Sequence, residues 1–456
     1  MPDDPSRALE ILEAYYNSDA DFALHELASE CASKFRQHAE IMNYVFMAQV
    51  NLAMDGGLVA PEQLRQAVDF WESPAARSRW SRSSLLYNQG NAFKALNSTS
   101  EAVAKYRESL AVNPNFAPCW KNLGAIYFAT EHFDIGRQCY EEAIRYDPGL
   151  FEALYALGVY SYQREHDTDK AVMYFDRIDL TKLLPLHIAS VCGWKANCFL
   201  KIGRYGQGIE NAERAIAAFP EMHWGWKVAA RLYALARREN KEWLKPAFSF
   251  WQRFVSRHYD SAEGWAELGF VCWFLRDAGD KDQISKLART AFERAVKLDK
   301  SHDGLIWDRI GHLYQEDGNW IEAERAYRKA AEIDSAQFGY CLGVSLLKLD
   351  RYSEAVPLLL AAAQNHQPDA MSWSQVALCY DKLGDENKAA AAYLKAIELD
   401  PNYAQVWFDL GGYFWNHKEI GLAIKVWKEA MVRFPDDKNC AHVRVFLKKT
   451  GVDREK

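Results

Sequence analysis

Apolar and small residues recur at i, i+3, i+4 and i+7 through most of the 456-residue chain, the spacing of one buried helix face. The stretch 117–150 shows the unit. Trp120, Leu123, Gly124 and Tyr127 share one face of a first helix, and Gly136, Tyr140 and Ala143 share one face of a second. Pro148 then closes it, because proline cannot continue a helix interior. The stretch 370–403 aligns with this unit without a gap, which sets a period of about 34 residues. The same frame restarts near Ser83, Phe151, Ala189, His223, Ala262, Gly304, Ala336 and Ala404. That makes roughly ten copies over about 80% of the chain, and copies in phase carry the weight that one loose match lacks.

The pattern is weaker at both ends, as expected where terminal repeats cap a stack. Residues 1–82 read as degenerate helical hairpins, with Tyr44 and Ala48 on one helix and Ala67 and Trp71 on its partner. Residues 83–437 hold the tandem repeats, and 438–456 a closing helix and tail. In the repeat that starts at Phe151 the second helix slips by one residue before Ala171 and Phe175. Inserts near 179–188, 237–246 and 276–285 read as loops or helix extensions rather than as separate domains.

The spacing W-x2-L-G-x2-Y, then Ala, an aromatic, Ala and a closing Pro, resembles the tetratricopeptide repeat family. An aromatic at the fourth position fills the space between hairpins, and small residues at the eighth and twentieth let paired helices approach. The resemblance implies an all-α, right-handed superhelical solenoid of about twelve helix pairs, whose first helices line a groove that holds a peptide or partner protein. Carried through this frame, the groove positions fall on Asn88, Asn91, Lys121 and Asn122 early in the chain. They fall on Trp194, Asn197, Trp224, Lys227, Arg231 and Trp273 in the middle, and on Arg309 and His312 later. Asn88 and Asn122 occupy one slot in adjacent repeats, as the asparagines do that hold an extended peptide backbone in some relatives; an amide can both donate and accept. Commonness of Asn at that slot is the competing reading. The carboxylate clamp of related co-chaperones is matched at Asn91 and Asn122, but Tyr87, Glu152 and Ala156 replace its three cations, so a chaperone tail would lose its charge-assisted partners. Trp194, Trp224 and Trp273 lie off the packing positions, and Lys227 and Arg231 stand one turn apart. Aromatic anchors beside Arg describe a binding hot spot; irregular packing near the inserts is the alternative.

Composition narrows the function. Hydrophobic residues make up 49% of the chain and charged residues 26%, ample for a continuous core. The net charge of −7 argues against a general nucleic-acid or anionic-membrane surface. The nine cysteines are odd in number and scattered, which fits a reducing, cytoplasmic setting better than a disulfide framework. The N-terminus lacks the basic and apolar regions of a secretory signal, and no segment reaches transmembrane length. No Gly-rich phosphate loop, GxSxG, HExxH or kinase signature occurs, so no catalytic residue, cofactor or metal is expected. Six of the 16 Trp sit at the fourth repeat position (Trp120, Trp226, Trp265, Trp307, Trp373 and Trp407), where the period assigns them to packing. The function expected is a non-enzymatic interaction scaffold or adaptor. A peptide-sensing regulator acting through a separate effector and a helical-repeat RNA binder are the alternatives; the second is disfavoured because Glu263, Glu267 and Asp409 interrupt the cations of the groove.

Overall fold

A computed structural model describes residues 4–17, 27, 30–276, 280–299, 304–364 and 369–449. Every regular element among them is helical. The chain divides into two compact units, residues 1–232 and 233–456. Each is a solenoid of consecutive helix hairpins, in which helices pack chiefly on their neighbours in sequence. The helix His223–Glu239 contributes its residues through Leu232 to the first unit and the remainder to the second.

Local chemistry sets the helix ends. In the second unit Asp369 accepts a hydrogen bond from the Ser372 amide, and Asp385 from the Lys388 amide; Asp334 takes two, from Ala336 and Gln337. Each satisfies amides that a helix N-terminus leaves without a partner. The turn inside a hairpin requires one left-handed residue. Glycine fills it at Gly384 (φ 78°), and Lys418 takes the same conformation (φ 66°) one repeat later. Gly203 (φ 73°) stands in the corresponding turn between Pro185–Lys201 and Tyr205–Ala218, so this glycine serves the backbone of the turn.

The hairpins close through their small residues. A Cβ on Gly124 would come within 3.1 Å of both the Gly136 carbonyl oxygen and the Tyr140 ring. This is the crossing of Ala117–Ala129 with Phe133–Tyr146. Beyond it the core continues through Tyr140, Leu154, Leu157, Phe175 and Val191. In the second unit Tyr327, Leu342, Leu359, Val376, Tyr393 and Leu410 form one cluster. At the N-terminus Ala39–Met54 and Pro61–Glu72 bury Ala48, Ala67 and Trp71, and the Trp71 indole donates to the Asn43 amide oxygen at 2.9 Å. The last helix is Lys438–Lys449; the tail beyond it lies outside the described residues.

The one-residue slip has a backbone cause. Helix Phe151–Tyr160 runs into a π-helical turn at Ser161–Glu165, ended by His166 at φ 57°. A π turn takes one more residue than an α turn, so the following helix, Thr168–Asp176, regains its packing face with Ala171 and Phe175 buried. The inserts become short 3₁₀ turns at Leu180–Lys182 and Lys241–Trp243 and the long helix Lys281–Leu298. Residues 277–279 of the third insert lie outside the described set. No described helix is long and apolar enough to cross a membrane.

The fourth-position tryptophans are less deeply set than packing residues alone would be. Trp226 is buried (5% exposed), whereas Trp120, Trp265, Trp307, Trp373 and Trp407 are half-buried. Four of them share one contact: the indoles of Trp120, Trp226, Trp265 and Trp407 donate to the carbonyls of Pro114, Pro220, Tyr259 and Pro401 at 2.7–3.0 Å. A buried or half-buried indole N–H needs such a partner, and here each ties the start of a repeat to the end of the one before.

Candidate functional site

The residues read from the sequence as one row of groove positions fall into three groups. The early asparagines face inward. Asn91 and Asn122 are 8% and 4% exposed. The Asn122 amide donates to Asn91 Oδ1 at 2.8 Å and to Tyr87 Oη at 3.2 Å, and the Tyr106 hydroxyl donates to Asn91 Oδ1 at 2.6 Å. Tyr106 is fully buried, and burial drives its phenol well above the ordinary range. These amides are committed to one another across two repeats, a buried polar network in which each member satisfies the next. Asn88 is half-buried. Lys121 reaches across to Glu152 at 3.1 Å.

A second group lies later in the first unit. Trp194, on Pro185–Lys201, packs its indole on Trp224 at the start of the next first helix (centroids 5.2 Å apart) and edge-on to Tyr162 (5.4 Å). Its N–H donates to Tyr155 Oη at 3.0 Å. The Trp224 ring lies against Gly193, where a Cβ would meet it. Four aromatics from three successive repeats are thus joined. Trp194 and Trp224 remain half-buried, and Lys227 and Arg231 are exposed on the same helix as Trp224. The Lys201 ammonium stands over the Tyr162 ring at 5.1 Å, and the Arg231 charge partly offsets the rise that burial imposes on the Tyr162 phenol. Asn197 bonds back to the Gly193 carbonyl within its own helix.

The third group belongs to the second unit and is built around Trp273. The Arg276 guanidinium lies 3.5 Å from its ring centroid, Arg309 4.7 Å and the His312 ring 6.1 Å. Arg309 also reaches Asp308 at 3.0 Å. Arg276 holds two buried donors, Nε and Nη1, without a hydrogen bond, and its nearest carboxylate oxygen, on Glu316, is 3.6 Å away. Nearby, Arg237 (side chain 5% exposed) forms a two-pronged pair with Glu267 at 2.5 and 3.0 Å. Trp273 therefore stands with Arg309 and His312, and Trp194 with Trp224.

Sequence reasoning missed Arg237, Arg276 and Cys341. The two arginines stand at the start of the inserts that read as loops or helix extensions. The available signal was their place at the end of a first helix, with Arg276 three residues past Trp273. Cys341 gave no signal alone; its neighbours Asp308 and His312 lie in the preceding repeat.

Models of the tetratricopeptide repeat match residues 121–181, 306–337 and 370–403. Superkiller complex protein 3 of Mus musculus is 27% identical over 245 residues, which cover 52% of this chain and 15% of that protein. Its Homo sapiens counterpart is 25% identical over 290 residues, 62% of this chain and 18% of that protein. Hsp70-Hsp90 organizing protein 1 of Glycine max is 30% identical over 95 residues, 21% and 17% of the two chains. The chain thus spans less than a fifth of the length of these relatives. Among solved structures, the Cut9–Hcn1 hetero-tetramer of APC/C has a TM-score of 0.32 at 14% identity, covering 94% of this chain and 93% of that one. YrrB, a TPR protein with an unusual peptide-binding site, has a TM-score of 0.36 at 19% identity over 42% of this chain and 97% of its own.

Proposed function

Because this chain is a tetratricopeptide repeat protein, we propose that it is a non-enzymatic scaffold, and that its first unit holds a partner segment carrying acidic side chains on the face formed by Trp194, Trp224, Lys227 and Arg231. Protein binding at large is what the fold serves in its relatives, Hsp70-Hsp90 organizing protein among them.

The observation that carries the reading is the joined aromatic row with exposed cations at its border. Half-buried Trp rings offer apolar area that is already ordered, so a partner that covers them gains burial with little side-chain entropy lost. Lys227 and Arg231 stand one turn apart on the Trp224 helix, spaced for carboxylates at the edge of that contact. Asn91 and Asn122 are not part of this surface, because their amides are already bonded inside the repeat pair.

The test is a titration of fluorescent peptides bearing an apolar anchor flanked by Asp or Glu, run beside thermal melts. Lys227→Glu with Arg231→Glu should weaken binding at least about tenfold, ~1.4 kcal/mol. Stability should change by less than about 0.5 kcal/mol, since both side chains are exposed. Trp224→Ala should weaken binding and the fold together, since its ring also packs on Gly193 and Trp194. Unchanged affinity in the charge-reversed variant, with the fold intact, would sink the proposal.

A further inference from the structure

Asp308, His312 and Cys341 form the one group of three His, Cys or carboxylate residues among the described residues whose ligand atoms all lie within 4.8 Å of one another. No spacing in the sequence marks it. Asp308 and His312 stand one turn apart on Gly304–Glu316, and Cys341 comes from Ser335–Lys348, the first helix of the next hairpin. We propose that these three side chains bind a borderline-soft divalent cation of the zinc type, bridging two adjacent repeats of the second unit and leaving one coordination position open.

The donor set selects the ion. Thiolate, imidazole and carboxylate together suit Zn2+ or its congeners, whereas Ca2+ and Mg2+ take oxygen ligands. Bonds of the usual zinc lengths place tetrahedral ligand atoms roughly 3.3–3.7 Å apart. His312 Nε2 already stands 3.7 Å from Asp308 Oδ2, so shifts of about 1 Å at the Cys341 side complete the site. The Asp308 side chain is 8% exposed and that of His312 35%, so the cluster is sheltered yet reachable from solvent. Three protein ligands leave the fourth tetrahedral position to water, unlike a closed site with four protein ligands.

Arg309 is the apparent objection, since it places a positive charge 3.0 Å from the Asp308 carboxylate. A carboxylate has four lone-pair sites on two oxygens, so it can hold the metal and the guanidinium together. Ligating carboxylates are commonly held in this way by an outer hydrogen bond. The dication replaces the Cys341 thiol proton, which leaves to solvent, so the thiolate and the Asp308 carboxylate set two negative charges against the ion beside Arg309. Burial and the Asp308 charge hold the Cys341 thiol up at about 11, and burial lowers His312, which favours the neutral imidazole that ligates. A cation reverses the penalty on the thiolate.

The experiment uses the full chain, stripped with a chelator and returned to metal-free buffer, with Co2+ as the spectroscopic probe. One equivalent of Co2+ should produce a thiolate-to-cobalt charge-transfer band, which one equivalent of Zn2+ abolishes. Zn2+ should also raise the thermal midpoint of the chain, as any ligand does that binds only the folded state. Cys341→Ser should remove both effects while Cys379→Ser, a buried cysteine of the same unit, keeps them. Should Cys341→Ser lose its helical signal, His312→Gln supplies the same test without touching a thiol. Absence of the band in the parent chain, or its persistence in the folded Cys341→Ser or His312→Gln protein, overturns the site. The binding face of the first unit is untouched by either result, so the two proposals fail separately.

Discussion

Arg237 is 8% exposed, and a guanidinium so placed is tolerated only where a carboxylate meets it with good geometry. Glu267 does so with two hydrogen bonds, while a second arginine, Arg238, stands at 3.8 Å from its other oxygen. Glu267 is therefore a partner for a buried cation before it is a groove residue. Glu267→Ala should cost about 3–5 kcal/mol, because it leaves the charge of Arg237 buried without compensation. The pair itself need not stabilise the fold. Replacing both, as Arg237→Met with Glu267→Leu, should recover most of that loss, since apolar groups of similar volume often substitute for a buried ion pair without cost. Chemical denaturation of the three proteins checks this. A single variant as stable as the parent would mean that water reaches the guanidinium. The same logic separates Asn122 from Lys227: the first is buried and already bonded, the second is exposed, and only the second is open to a partner.

At the scale of the element, the helix pair is held by what its small residues permit. Gly124 stands where a Cβ would press on both the Gly136 carbonyl and the Tyr140 ring, so Gly124→Leu should force the two helices apart and cost about 1–3 kcal/mol or more. A denaturation midpoint equal to the parent's would show that the crossing is looser than this geometry. That crossing was legible in the sequence, because glycine and alanine recur at fixed places in the period. So was the slip before Ala171, although its cause was not: periodicity records that a face has shifted, while the π turn at Ser161–Glu165 depends on backbone hydrogen bonding that no side chain announces. The site was legible only in part. The aromatics off the packing positions could be found, and Trp194 does join Trp224. Burial within the groove positions could not, and it separates Asn91 and Asn122 from the rest. Contacts between repeats were also hidden: the pairing of Cys341 with Asp308 and His312, and the stacking of Arg309 on Trp273, rest on which helices lie side by side.

At the scale of the whole molecule, cohesion is local in sequence. Core clusters are shared between neighbouring hairpins, and no described cluster in the second unit gathers residues from all of it. A stack of this kind has a stability close to the sum of its repeats and their interfaces. Removing residues 404–456 is the direct test. Val406, Leu410 and Tyr413 cover Val376, Ala389 and Tyr393 in one cluster, so the cut leaves that apolar face open to water and to other molecules. The truncated chain should keep the helicity per residue of its remaining repeats, lose stability at its new end and aggregate more readily. Substituting polar residues for the apolar ones that the cut newly exposes should restore solubility without restoring the missing repeat, as an added cap does for a repeat array. Circular dichroism and light scattering distinguish the outcomes. A globular core would instead lose its helical signal in one step on truncation, and that result would count against nearest-neighbour cohesion as the source of the second unit's stability.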